Sequence, residues 1–485
     1  MRPETIKHSY LALDLGAESG RAMLANLASH NLDLVELHRF ANIPVRLPTG
    51  LYWDTLRLFH EMCDGIRAAA CAVDTLDGIA VDTWGVDFGL LGEDGSLLDH
   101  PRHYRDARTR GAFEEVFARV PRAEIFRQTG VQFMEINSLY HLYAAQRDSP
   151  RVLNIASHLL FMPDLFNYFL TGAFTSERTI ASTSQFYDPV KKQFATDMLR
   201  RLGIAGGFLT TLTDPGTELG PVLPHVAEHC NLTQDVPVYT TGSHDTASAV
   251  AAVPASGLKD WCYISSGTWS LMGVELDEPV INDAALEANF TNEVGVQDKI
   301  RFLKNIPGLW VLQECRRAWA REGSEYSYAE LMERAAAAKA SSTVLDLDEF
   351  VSPGNHPQRI QEYCRKTAQE APGDVGAVTR LILYSLAVRY KQVLALIEQL
   401  TGRQINVIHI VGGGSRNSLL NQLAADVTGR RVIAGPAEAT AAGNALIQAM
   451  GMGHVGSLQE LRAIVRNSFE VEEFRPLARK LKSAS

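Results

Sequence analysis

The run Ser243-His244-Asp245-Thr246-Ala247 sets one carboxylate where an apolar strand gives way to a helix of small residues. A carboxylate so placed can accept the proton of an attacking hydroxyl, the base chemistry that phosphoryl transfer to an alcohol requires. An aspartate at a helix start also suits plain N-capping, and the residues alone leave both readings open. Far upstream, Leu13-Asp14-Leu15-Gly16-Ala17-Glu18-Ser19-Gly20-Arg21 closes a strand in a Gly-rich turn. Its glycines let backbone N–H groups approach phosphate oxygens, and Asp14 suits Mg²⁺ held through water. A tight hairpin explains that run equally well, and Arg21 either reaches a phosphate or stands exposed on its strand.

Three further runs carry polar or small residues at strand ends. Ser265-Ser266-Gly267-Thr268 offers hydroxyls and amides to phosphates, or is an ordinary hairpin turn. Gly412-Gly413-Gly414 follows an apolar strand and leaves room for a flat ligand such as adenosine against the backbone. Asp82-Thr83-Trp84-Gly85-Val86-Asp87-Phe88 sets an indole among polar groups. The Trp84 face suits sugar C–H groups, Asp and Thr suit hydroxyls, and a core tryptophan is the alternative. His244 reads as a hydrogen-bonded helper, with no histidine or carboxylate partner at metal-ligand spacing.

The elements that must position these residues follow from pattern and punctuation. Residues 10–15 and 21–27 are predicted as strands around the first turn, 76–91 as a further strand pair, and 93–96 as a turn. A strand over 236–241 leads into a helix over 246–252, and 253–257 is the expected linker. Strands over 261–265 and 269–274 then flank the second small-residue turn, an echo of the first. Asp374 is placed to cap a long helix that runs to residue 400 and stops at Gly402. Its apolar positions, from Val378 and Leu381 to Val393 and Ile397, keep helical spacing and belong to a core. A strand over 405–411, a helix over 417–427, a strand over 431–434 and a helix from Pro436, with Glu438 in its first turn, complete the pattern.

At 485 residues the chain exceeds one ordinary core, so two large domains are expected, over 1–252 and 258–485. The 46 basic against 56 acidic residues give a net charge of −10, which argues against a nucleic-acid surface. Phosphates held locally by backbone amides and Mg²⁺ are compatible with that charge. Six cysteines without CxxC spacing read as core thiols, a Cys71–Cys230 pair being the exception to consider. The N-terminus leads straight towards a strand without a signal-like apolar stretch, and no apolar run approaches about 20 residues. The expectation is a cytoplasmic protein with no membrane partner, its oligomeric state left open.

Taken together, these runs resemble the FGGY carbohydrate kinases. The resemblance rests on Asp14–Arg21, GIAVDTWGVDF over 78–88, YRDAR over 104–108, MPD over 162–164, SHDTASAV over 243–250, SSGTWSLMG over 265–273 and KNIPGLWVLQ over 304–313. Gly412 to Asn417, Ala425-Asp426-Val427 and Gly435 to Ala439 look like the family's nucleotide signature. It implies an α/β, two-domain actin-like ATPase (ribonuclease H-like) fold with a central interdomain cleft. The implied reaction moves phosphate from ATP, with Mg²⁺, to the C1 hydroxyl of a deoxy-ketose. The resemblance makes Asp245 the proton acceptor, and Gly85, His244, Asp245, Thr246 and Asn305 the ketose contacts. Trp84, beside Gly85, is inferred as a sugar-facing wall. It places Ala17, Glu18, Ser19, Gly20, Arg21 and Thr268 at the phosphates, Gln313 and Gly413 at the nucleotide, and Asp14 near the metal. Two departures stand out. Ala17-Glu18 replaces the family's frequent Thr-Thr or Thr-Ser, so the Glu18 side chain should point away from phosphate. Asp-Thr-Trp-Gly replaces the Asn-Gln-Arg-Glu of glycerol kinases, which argues against glycerol. A non-catalytic sugar sensor is the alternative of a different class, and Asp245, Asp14 and the triple glycine count against it.

Overall fold

The computed structural model describes residues 7–255 and 260–477. The expected run-in over 1–6 and residues 256–257 of the expected linker lie outside the described residues. So do the first two residues and the last eight of the expected second domain. The chain sorts into two compact units. The first gathers Met1–Ser256, Glu275–Phe302 and Ala439–Ser468; the second gathers Gly257–Val274, Leu303–Glu438 and Phe469–Ser485.

The first unit is built on a six-stranded sheet in the order Glu218–Pro221, Pro237–Tyr239, Gly78–Thr83, Lys7–Leu15, Ser19–Ala28, Asn31–Ala41. The last three form an antiparallel meander, whereas Lys7–Leu15 and Pro237–Tyr239 each run parallel to Gly78–Thr83. Lys7–Leu15 is buried from Ser9 onward, which explains its near-continuous apolar run. The parallel register sets Asp14 opposite Asp82 and Leu15 opposite Thr83. Beneath the sheet lies the helix Thr55–Ala72, capped by Asp54, whose Leu58, Met62 and Ile66 share one core with Leu11, Leu13, Ile79 and Val81.

The strand pair expected over 76–91 does not form. Phe88–Leu91 pairs antiparallel with His158–Phe161 instead. The cause lies in the intervening turn, where Val86 takes a left-handed φ of 72° and Asp87 N–H donates to Gly85 O, so the chain leaves the sheet.

The helix Ala439–Gly451 packs against Lys7–Leu15, Gly78–Thr83 and the helix Asp245–Ala251. It begins after Glu438 rather than at Pro436, because Pro436 O accepts from Gly412 N–H and Glu438 pairs with Arg416 at 2.8 Å.

The second unit repeats the motif of a hairpin followed by parallel strands. Trp261–Ser266 is antiparallel to Ser270–Leu276 and parallel to Val407–Val411, which is itself parallel to Arg431–Ala434. The 27-residue helix Val375–Thr401 is capped at its start by Asp374 and ended by Gly402 at a φ of 66°. All six cysteines are free; Cys71 is exposed, and the thiol beside buried Cys230 is that of Cys63. Among the described residues no helix is long and apolar enough to cross a membrane.

One close approach seats the Asp245–Ala251 helix. A Cβ on Gly443 would overlap the carbonyl oxygen of Ser248. Gly443→Ala should therefore force the two helices apart at a cost of about 1–3 kcal/mol, read as a lower urea midpoint. An unchanged midpoint would mean that the crossing has slack.

Candidate active site

Asp245 is the first residue of its helix, and His244, with an extended backbone, occupies the capping position without a side-chain cap bond. The capping alternative for Asp245 is thereby removed. Its Oδ1 accepts from Thr246 N–H at 2.5 Å and from Thr246 Oγ1 at 3.1 Å, and His244 Nε2 lies 3.4 Å from the same oxygen. All of these contacts fall on Oδ1, and the side chain keeps 30% of its surface exposed, which leaves Oδ2 for an incoming group.

The approach to this helix is held by a buried glutamate. Glu177 accepts from Thr179 N–H at 2.8 Å, Ile180 N–H at 3.2 Å and Ser243 N–H at 3.2 Å. Thr179 Oγ1 in turn accepts from His244 N–H at 3.2 Å. Burial pushes the Glu177 carboxyl up to about 7 against these bonds. Thr83 N–H donates to Ser243 O at 2.9 Å, which ties the turn to the end of the Gly78–Thr83 strand.

Two more carboxylates stand close by. Asp14 Oδ2 pairs with Arg21 Nη2 at 2.5 Å, so Arg21 lies on the acid of its own hairpin. Asp82 Oδ2 accepts from Asn444 Nδ2 at 2.6 Å, while its Oδ1 is buried with no hydrogen bond. Burial chiefly, then the charges of Asp14 and Asp245, hold the Asp82 carboxyl well above its usual range. Asp245 is raised by burial and by Asp14, against the two hydrogen bonds from Thr246. Mutual repulsion among three acids and an orphaned carboxylate oxygen fit a hard divalent cation with oxygen ligands. Asp82 was legible in sequence only as part of the 82–88 run, an acid at a strand's end. Asn444, 362 residues away from it, carried no signal.

The hairpin turn is braced by Gly16 N–H to Ser19 O at 2.9 Å and by Asn42, which donates to Gly16 O and Glu18 O. Glu18 itself is exposed. Trp84 is mostly packed. Its ring lies 4.0 Å from that of Trp53, and both indole N–H groups donate to Asp87 Oδ2, at 2.9 and 2.6 Å. Little of Trp84 remains for a sugar-facing wall. Asp87, the second acid of the 82–88 run, is turned onto the two indoles and pushed up to about 7 by burial.

In the second unit Gln313 Nε2 donates to Thr268 Oγ1 at 3.2 Å, and Trp310 N–H donates to Thr268 O at 3.1 Å. The strand Ile300–Ile306 begins in the first unit and passes at Leu303 into the second, to which Asn305 belongs. The three glycines divide their work. Gly412, at a φ of 81°, faces the Ser266 carbonyl, and a Cβ on Gly414 would overlap the Ser266 side chain. Only at Gly413 would a Cβ meet nothing within 4 Å.

Residues 9–252 match the family model "FGGY family of carbohydrate kinases, N-terminal domain", and residues 262–452 match its C-terminal counterpart. The chain belongs to the FGGY family of carbohydrate kinases. A rhamnulokinase of Bacteroides thetaiotaomicron is 41% identical to this FGGY kinase, covering 97% of its chain and 96% of that protein. One of Bacillus subtilis is 38% identical over 96% and 95%. Among solved structures, a xylulose kinase from Rhodospirillum rubrum matches with a TM-score of 0.77 at 18% identity, covering 97% of this chain and 95% of that one. The Plasmodium falciparum glycerol kinase matches with a TM-score of 0.77 at 14% identity, covering 97% and 94%. These likenesses establish the actin-like ATPase fold, of which the hairpin-plus-parallel-strand units are the two halves.

The buried acid of the indole pair gives a pH test. Asp87 moves from an ordinary 3.8 to about 7 on folding, so its proton stabilises the folded state fully below 3.8, and that stability is lost as pH rises towards 7. Asp87→Asn should gain on the wild type in urea midpoint across that window and run parallel to it above. A constant difference at every pH would show that Asp87 titrates normally.

Proposed function

We propose that this FGGY kinase transfers the γ-phosphate of ATP to the C1 hydroxyl of L-rhamnulose, giving L-rhamnulose 1-phosphate and ADP in L-rhamnose catabolism in the cytoplasm. The substrate is supported by full-length likeness to proteins named rhamnulokinase. The chemistry rests on one observation: Asp245 has one carboxylate oxygen held and the other open.

In this reading Asp245 Oδ2 takes the C1 hydroxyl proton. The sugar oxygen bonds to the γ-phosphorus as the bond to the β,γ-bridging oxygen breaks, and that electron pair leaves with ADP. Gly85, His244, Thr246 and Asn305 orient the ketose, and Trp84 contributes chiefly through its hold on Asp87. The backbone of Ala17, Glu18, Ser19 and Gly20, with Thr268, receives phosphate oxygens, and Gln313 and Gly413 flank the nucleotide. Arg21 steadies Asp14 and adds positive charge beside them. Asp14 and Asp82 would hold Mg²⁺, which when bound neutralises charge on the phosphate oxygens. Positioning and charge stabilisation supply most of the rate.

The test is ADP release from Mg-ATP with L-rhamnulose, L-fuculose, L-xylulose and glycerol. Turnover on L-rhamnulose should exceed that on the others, and Asp245→Asn should fold normally and lose on the order of 10²–10⁴ in kcat. Preference for L-fuculose would move the substrate and keep the kinase. Near-wild-type kcat in Asp245→Asn would remove the base, and absence of sugar-dependent turnover would make the chain a sensor.

A further inference from the structure

Behind His244 lies an ion pair that the proposed reaction does not use. Glu293, on the strand Thr291–Val294, and Arg301, on Ile300–Ile306, are both buried, Arg301 completely. Arg301 Nη2 stands 3.2 Å from Glu293 Oε2 and 3.2 Å from His244 Nδ1, while its Nε donates to Val294 O at 3.1 Å. Glu293 Oε2 is also 3.3 Å from His244 Nδ1. A buried pair of this kind is a poor device for stability, since apolar residues of similar volume commonly do as well. Arg301 Nη1 is moreover buried without a hydrogen bond.

A guanidinium only donates, so the His244 Nδ1 that Arg301 addresses must accept. A neutral ring then carries its proton on Nε2, the atom 3.4 Å from Asp245 Oδ1. Were Arg301 absent, Glu293 would draw the proton to Nδ1, and Nε2 would turn a lone pair towards the carboxylate.

We propose that Arg301, with Glu293 as its counter-ion, is a positioning residue that fixes the His244 proton on Nε2. A proton then faces Oδ1 of Asp245, the oxygen that Thr246 already bonds, and no lone pair repels that carboxylate, so Oδ2 is kept as the basic oxygen. This rests on Asp245 being the base. Neither Glu293 nor Arg301 stands in a motif, and they are joined to His244 only by the fold, Arg301 across 57 residues.

The full-length wild-type protein, ¹⁵N-labelled at histidine, gives the first readout. His244 should be neutral with its proton on Nε2; a proton on Nδ1, or on both nitrogens, overturns the inference. Arg301→Gln should shift the proton to Nδ1 and lower kcat about tenfold or more, with the sugar KM within about threefold. In a His244→Gln background the same change should cost less than about twofold. Equal losses in both backgrounds would mark Arg301 as merely structural and overturn its positioning role. Should Arg301→Gln fail to fold, Glu293→Gln/Arg301→Gln removes both charges together and is compared with His244→Gln in the same way. Retained turnover in Asp245→Asn would overturn the base and this inference with it. Lost turnover there, with His244 protonated on Nδ1, would overturn this inference alone.

Discussion

Three carboxylates drawn to the same end of a parallel strand pair set the terms for the first unit. Asp14 and Asp82 are register partners, and Asp245 opens the helix that follows the neighbouring strand. Buried like charges are costly, and the surrounding groups answer that cost one acid at a time. Arg21 pairs with Asp14, Asn444 donates to Asp82, and Thr246 donates twice to Asp245. What is left uncompensated, the Asp82 oxygen without a hydrogen bond and the open oxygen of Asp245, is where a cation and a substrate hydroxyl have most to offer. Stability given up at such a cluster is the ordinary signature of a functional site.

The same economy of architecture appears in both units. Each sheet runs a hairpin into two parallel strands, so small-residue turns and strand ends gather on one side. Sixteen to twenty and 266 to 268 are corresponding turns, each closed by a backbone bond at its glycine, Gly16 N–H to Ser19 O and Gly267 N–H to Trp269 O. In the second unit packing, rather than ligand clearance, dictates two of the three consecutive glycines, because Ser266 lies against Gly412 and Gly414.

Local signals were legible in the sequence. The hairpin strands, the helix capped by Asp374 and ended by Gly402, and the acids Asp14 and Asp245 all follow from punctuation and periodicity within a few residues. What escaped is long-range. Nothing near Asn444 says that it serves Asp82, and nothing near Glu293 or Arg301 points to His244. The helix Ala439–Gly451 belongs with the first unit because it packs on Lys7–Leu15 and Asp245–Ala251, a choice made by tertiary contact. The strand pair expected over 76–91 failed for a related reason. Asp87, pulled onto two indoles, and left-handed Val86 turn the chain out of the sheet.

In the proposed reaction Asp245 takes a proton rather than merely gripping the sugar. Calorimetric titration of Asp245→Asn with L-rhamnulose separates the two, since the isosteric amide keeps the contacts and loses the basic oxygen. Affinity within about threefold of wild type beside the lost turnover is the predicted result. Binding lost in proportion to turnover would contradict it and make Asp245 a sugar-binding residue.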